Sequence, residues 1–85
     1  MSEKSTQRRK DRVGEHRTTY EKNRRRILMS QNICAICGRP VNKSLKTPDP
    51  NAPEIDHIIP ISMGGHPSDI SNLQLVHSIC NKAKS

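Results

Sequence analysis

The segment EIDHIIPISMGG, Glu54–Gly65, is the most apolar stretch of an 85-residue chain. Its isoleucines read as a short buried strand that Pro60 shortens or makes irregular, and Gly64 and Gly65 read as a turn with positive φ. Asp56 and His57 nevertheless stand side by side inside it. They are either a strand-end pair that serves structure, with the imidazole hydrogen-bonded by the carboxylate, or a chemical pair. Neighbouring side chains of a flat strand face opposite sides, so both can meet one cleft only where the strand twists or ends. A second strand is expected at LQLVH, Leu73–His77, and a helix from Ser78 onward in SICNKAKS, either short or continuing past Ser85. SMGGHPSDIS is the loop between them, closed by Asn72. Upstream, RPVNKSLKTPDPNAP, residues 39–53, carries four prolines and reads as a loop inserted within the domain.

Only 31% of the residues are hydrophobic, and Tyr20 is the one aromatic, so no large core can form. Domains this small usually lean on a disulfide, a metal or a partner. The three cysteines, Cys34, Cys37 and Cys80, make no even disulfide framework. The N-terminal MSEKSTQRRKDR has no apolar stretch behind it, unlike a secretory signal, and no segment reaches membrane-spanning length. A reducing, cytoplasmic setting is expected, where clustered thiols bind metal more often than they pair. Cys34-x-x-Cys37, with Gly38 in the turn, has zinc-knuckle spacing, which a redox pair shares. His77-x-x-Cys80 repeats the spacing and completes three sulfurs and one nitrogen, a donor set for a structural Zn²⁺ that leaves no thiol over. The alternative is an ordinary polar His77 and a small buried Cys80. A structural zinc contributes on the order of 10 kcal/mol to folding.

The net charge is +7, and ten of the fifteen Lys and Arg residues lie in the first 26 positions. Such a cationic segment suits nucleic acid through salt-sensitive phosphate contacts, or is simply a solvated tail. Residues 1–17 lack apolar periodicity and read as a disordered basic arm. A helix is expected from Thr18 or Thr19, with Thr18 and Glu21 as a capping box and Tyr20, Ile27 and Leu28 on its apolar side. Arg24, Arg25 and Arg26 are candidate phosphate contacts. Lys82 and Lys84 are further ones, although lysines on a last helical turn also follow from the helix dipole. His66 reads as a solvated loop residue, Glu54 as a strand-edge charge rather than support for a metal, and His16 is given no role.

C-x-x-C, then E-I-D-H-I-I-P-I-S-x-G-G, then S-N-L-Q-L, then H-x-x-C-N-K-x-K, in this order over residues 18–85, resembles the HNH nucleases, in particular the small phage and prophage type with a zinc site. The resemblance implies a small α+β protein with the ββα-metal (His-Me finger) fold, in which two strands and a helix clamp one divalent ion. A zinc knuckle is built in, and a basic arm (1–17) precedes the nuclease domain (18–85). It further implies that Asp56 and Asn81 bind a catalytic Mg²⁺ or Mn²⁺, that His57 is the general base, and that Asn72 ties down the loop and helps orient His57. Cys34, Cys37, His77 and Cys80 would hold the structural zinc. The chain departs from the commonest pattern in carrying His77 where many relatives have cysteine and Asn81 where many have histidine.

These residues also suit the chemistry on their own. Phosphodiester hydrolysis needs a base, a cation and fixed geometry. An imidazole titrates near neutrality, and carboxylate and amide oxygens are hard ligands. The implied activity is cleavage of double-stranded DNA to 5′-phosphate and 3′-hydroxyl ends. With no obvious recognition helix, weak sequence specificity or specificity supplied by a partner is expected, and the resemblance implies DNA packaging with a phage terminase as the setting. The rival is a non-catalytic zinc-binding module that docks on nucleic acid, which explains the charge and the cysteines but not Asp56, His57, Asn72 and Asn81.

Overall fold

The computed structural model describes the backbone of residues 2–84 and the side chains of residues 16–84. Its core is organised on LQLVH, which forms strand β2 (Leu73–His77) and is buried on both faces. Leu73, Leu75 and Val76 are almost fully buried. β2 pairs antiparallel with β1 (Pro53–His57), with Asp56 opposite Gln74 and His57 opposite Leu73. β1 therefore stops at His57, level with the first residue of its partner. The apolar residues beyond it do not extend the strand: Ile58, Ile59 and Ile61 are about half exposed, at 47%, 52% and 55%. After Pro60 the chain makes a single 3₁₀ turn, Ile61–Met63, and another, Ile70–Asn72, leads into β2.

Two helices flank this ribbon. The C-terminal helix α2 (Ser78–Lys84) begins directly after β2, as the sequence predicts. The first two N–H groups of α2 donate to the residue 39–53 loop, Ser78 to the Ala52 carbonyl and Ile79 to that of Pro50, both at 2.9 Å. The loop thus supplies acceptors that a helix start lacks.

The N-terminal helix α1 (Ser2–Ser30) starts well before the expected Thr18 or Thr19. Thr18 is an interior residue, so the capping-box reading is corrected. Between Ser2 and Arg17 there is no proline. Glu, Lys, Arg and Gln predominate there, all good helix formers, and Gly14 costs only about 1 kcal/mol. A missing apolar stripe tells how weakly a helix docks, not whether its backbone is helical. At the other end, Lys43 Nζ donates to the Leu28 and Gln31 carbonyls at 2.6 and 3.0 Å, satisfying acceptors that the helix end leaves free. Ile27 enters the core with Cys34, Val41, Leu73, Leu75 and Val76, and Tyr20, Leu28, Ile55, Ile70 and Cys80 pack around them.

The two glycines after the strand work differently from one another. Gly64 has φ +90 and needs the left-handed region, as expected of the pair. Gly65 has an ordinary φ and is required for space, because a Cβ there would lie 1.8 Å from the Ile59 carbonyl oxygen.

Candidate nuclease site and zinc centre

The zinc centre follows from how three elements meet. Residues 34–38 form a tight turn whose Gly38, at φ +75, donates to the Cys34 carbonyl at 2.9 Å. Ala35 donates to the Leu75 carbonyl at 2.9 Å and the His77 N–H to Cys34 Sγ at 3.4 Å, so the turn is laid along β2. The ligand atoms of Cys34, Cys37, His77 and Cys80 all lie within 4.8 Å of one another. His77 Nδ1 is 3.3 Å from Cys37 Sγ and 3.9 Å from Cys80 Sγ. Tetrahedral Zn–S and Zn–N bonds place such atoms about 3.5 Å apart, between the two observed values. His77 Nε2 lies 3.1 Å from the Pro40 carbonyl, to which it must donate. That bond fixes the tautomer and leaves Nδ1 as the lone-pair donor toward the sulfurs. The four residues expected from spacing therefore fit one zinc ion, His77 included.

The thiols differ in acidity. Burial raises the pKa of Cys34, but N–H groups of Cys37, His77 and Ile36 outweigh it and lower the pKa to about 6. Cys80 is pushed up to about 11 by burial, by hydrogen bonds with Cys37 and Cys34, and by their charge. Zinc binding must therefore expel the Cys80 proton, which makes affinity rise with pH.

Asp56 and His57 obey the strand pleat and point to opposite sides of β1. Asp56, only 8% exposed, turns toward α2. Its Oδ2 accepts from Gln74 Nε2 at 2.9 Å across the ribbon and from Lys84 Nζ at 2.6 Å, leaving Oδ1 as the oxygen these bonds do not use. Lys84 also donates to the His57 carbonyl at 3.0 Å. His57 turns toward α1, where its ring stacks on Tyr20 with centroids 5.8 Å apart and planes 17° from parallel. Its Nε2 lies 2.9 Å from the Pro67 carbonyl. A carbonyl only accepts, so Nε2 carries the proton and the neutral ring presents Nδ1 as a base. Because His57 ends the strand, both side chains still border one open cleft of about 290 Å³, together with Pro60, Ile61, Asn81 and Lys84.

Asn81 and Lys84 share a face of α2 at a spacing of three, while Cys80 points elsewhere, to the zinc centre. Asn81 Nδ2 donates to Glu54 Oε1 at 2.8 Å, which orients the amide and leaves Oδ1 unengaged by Glu54. Hydrogen bonds from Asn81 and Ser78, with the nearby Lys82 charge, hold the Glu54 carboxyl below its usual pKa despite partial burial. Glu54 thus orients Asn81 and is more than a strand-edge charge. The signal was present in the sequence: Glu54 and Asp56, two apart, share a strand face. Gln74 could likewise have been found from the register, opposite Asp56.

Asn72 closes the loop as expected. Its Oδ1 accepts from the Ile59 N–H at 2.8 Å, and its Nδ2 donates to the carbonyls of Ile59 and His66 at 3.0 and 2.9 Å. These side-chain bonds go to Ile59 and His66, and the Ile58 N–H beside His57 donates to the Asn72 carbonyl. His66 is exposed but not idle: its Nδ1 accepts from the N–H groups of Ser68 and Asp69 at 3.1 and 2.9 Å. Among the arginines, Arg25 and Arg26 are exposed, whereas Arg24 is half-buried and lines a groove with Lys43, Lys46 and Thr47.

The sequence profile of the HNH endonucleases matches residues 34–85. The chain belongs to the HNH endonuclease family. The match spans both zinc half-sites, the ribbon and α2, and the small α+β architecture with its zinc cluster agrees with an HNH ββα-metal fold. No curated protein and no solved structure matches the chain. Among the described residues, no helix is long and apolar enough to cross a membrane. The donor atoms at the cleft also suit a divalent ion: a carboxylate and an amide carbonyl are the hard oxygens that Mg²⁺ or Mn²⁺ takes.

Proposed function

We propose that this HNH protein is a metal-dependent endonuclease that hydrolyses phosphodiester bonds of double-stranded DNA, with residues 18–85 as the nuclease domain and the basic N-terminal segment as an arm on the phosphate backbone. The observation that carries the reading is the state of His57: its Nε2–H is tied to the Pro67 carbonyl, and its ring borders the same cleft as Asp56 and Asn81. His57 Nδ1 takes a proton from water as the water oxygen attacks phosphorus and the bond from phosphorus to the 3′ oxygen breaks. Asp56 and Asn81 would hold Mg²⁺ or Mn²⁺, which when bound stabilises negative charge on the phosphate and the leaving oxygen. Glu54 keeps the Asn81 amide turned for that role, and Asn72 keeps the 58–66 loop closed. Arg24, Arg25, Arg26 and Lys82 contribute phosphate contacts. Lys84, grouped with them on sequence, sits on Asp56 and contacts phosphate only at the cleft itself. Specificity for DNA sequence would come from a partner, for which the resemblance offers phage terminase in DNA packaging. The competing reading, a zinc-stabilised module that binds nucleic acid without cutting it, gives no use for the Asp56–His57–Asn81 grouping.

The test is nicking of supercoiled plasmid with Mg²⁺, Mn²⁺ or chelator, by the wild type and His57→Ala, with zinc content measured on both. Ion-dependent nicking that falls about 10²–10⁴-fold in the variant at unchanged zinc supports catalysis. Absence of nicking with any ion, despite bound zinc and salt-sensitive DNA binding, favours the binding module.

A further inference from the structure

Four side chains on α1, His16, Tyr20, Asn23 and Ile27, recur at spacings of four, three and four and so form one stripe along the helix. Ile27 enters the hydrophobic core and Tyr20 packs against its edge. His16, Tyr20 and Asn23 converge on the segment that holds the His57 ring. Tyr20 stacks on the imidazole itself. Asn23 Nδ2 donates to the Ser68 carbonyl at 2.8 Å, and His16 Nδ1 lies 3.2 Å from Ser68 Oγ. The Ser68 N–H is taken by His66 Nδ1, and the His16 ring stands edge-on to His66 with centroids 5.6 Å apart. Ser68, 2% exposed, is thus held at its N–H, its carbonyl and its hydroxyl, and the preceding residue, Pro67, supplies the carbonyl that binds His57 Nε2.

A stripe serving only to bury apolar surface would carry aliphatic residues at these positions. This one spends a phenol ring on the His57 imidazole, and an amide and an imidazole on Ser68, the residue after its acceptor Pro67. We propose that Tyr20 and Asn23 are positioning residues for His57: α1 fixes both the plane of the imidazole and the carbonyl that sets its tautomer. The inference rests on the reading of His57 as the general base. It also places base positioning and the Arg24–Arg26 run on one rigid helix, so phosphate contact and base geometry are mechanically joined.

The experiment uses the full-length, zinc-loaded protein. Imidazole ¹⁵N shifts, with His57 assigned by its loss in His57→Ala, report which ring nitrogen carries the proton. Plasmid nicking gives kcat and KM, and zinc content reports folding. Tyr20→Phe keeps the ring and is expected to match the wild type in tautomer and kcat. Tyr20→Leu keeps apolar bulk but loses the stacked plane. It is expected to shift His57 from a fixed Nε2–H form toward a tautomer mixture and to lower kcat 10-fold or more at unchanged KM, since misplacement by about 1 Å can cost about 10²-fold. Asn23→Leu, which leaves the Ser68 carbonyl without its donor, is expected to loosen the tautomer in the same direction and covers the case in which Tyr20→Leu loses zinc. An unchanged His57 tautomer in both Leu variants overturns the proposal, as does an equal loss in Tyr20→Phe. If the wild type does not cut DNA, the catalytic reading fails by that result, while the tautomer comparison still decides whether α1 orients this ring.

Discussion

Removing the zinc should unfold the strand ribbon, not merely inactivate it. The knuckle at residues 34–37 and the half-site at residues 77–80 are far apart in sequence, and apart from the ligands they meet through a few hydrogen bonds and the flank of β2. The aliphatic core is small: Ile27, Val41, Leu73, Leu75 and Val76 are its only large buried members among the described residues. At about 1.5–3 kcal/mol each, they contribute roughly 8–15 kcal/mol before any entropy is charged against them. A structural zinc is worth about 10–16 kcal/mol. The ion thus rivals the whole aliphatic core, while net stability of a domain is only about 5–15 kcal/mol. Stripped with a chelator, the protein should lose the near-ultraviolet signal of Tyr20 and its cooperative urea transition, and stoichiometric Zn²⁺ should restore both. Some helical dichroism should survive, because α1 carries its own helix-forming sequence. Cys80→Ser should behave as the chelated protein does, even with Mg²⁺ in excess. A chelated protein that unfolds cooperatively at the original urea midpoint would refute the reasoning.

Two smaller expectations concern charge. Lys84→Met removes an ammonium 2.6 Å from Asp56 Oδ2. With the lysine one-third exposed, the pair is worth about 1 kcal/mol, so Mn²⁺ measured calorimetrically on the zinc-saturated variant should bind about fivefold tighter; unchanged or weaker binding would show that the ammonium and the divalent ion do not compete for this carboxylate. Burial raises the Tyr20 pKa above 10, against the opposing pull of Arg24. A folded pKa above the unfolded one gives stability that is present below pH 10 and lost as pH climbs through the folded value. Absorbance of this single tyrosine should therefore titrate later in the folded protein than in urea, and coincident curves would contradict its placement against His57.

What the sequence made legible is what local pattern encodes. The short apolar run LQLVH marks β2. The paired spacings Cys34-x-x-Cys37 and His77-x-x-Cys80 point to the zinc ligands, because ligand spacing is a property of a single tight turn. The misreadings have a common origin. Hydrophobicity suggests a strand that runs on through Ile58 and Ile59, but a strand needs a partner, and register against Leu73 ends it at His57. The absence of an apolar stripe suggests an unfolded arm before Thr18, where propensity gives helix. His16 carries no local signal at all, since its partner Ser68 lies 52 residues away and no short period links them.

Under the proposed function, the same geometry would let two ions do separate work in so small a protein. Cys80 and Asn81 are adjacent on α2, roughly 100° apart around its axis. One side of the helix is therefore pinned to the zinc knuckle, and the other presents Asn81 and Lys84 to Asp56 across the cleft. α2 spans only Ser78–Lys84 and buries little, so packing alone would hold it loosely. The Ser78 and Ile79 bonds to the residue 39–53 loop and Glu54 on the Asn81 amide remove part of that slack, and a zinc ion held by Cys80 would remove the rest. Replacing Glu54 by Gln would keep the shape and lose the charge-assisted acceptor. The cost should appear in divalent-ion affinity at the cleft while the zinc content stays at one per chain, because Glu54 grips Asn81, about 100° around the helix from Cys80.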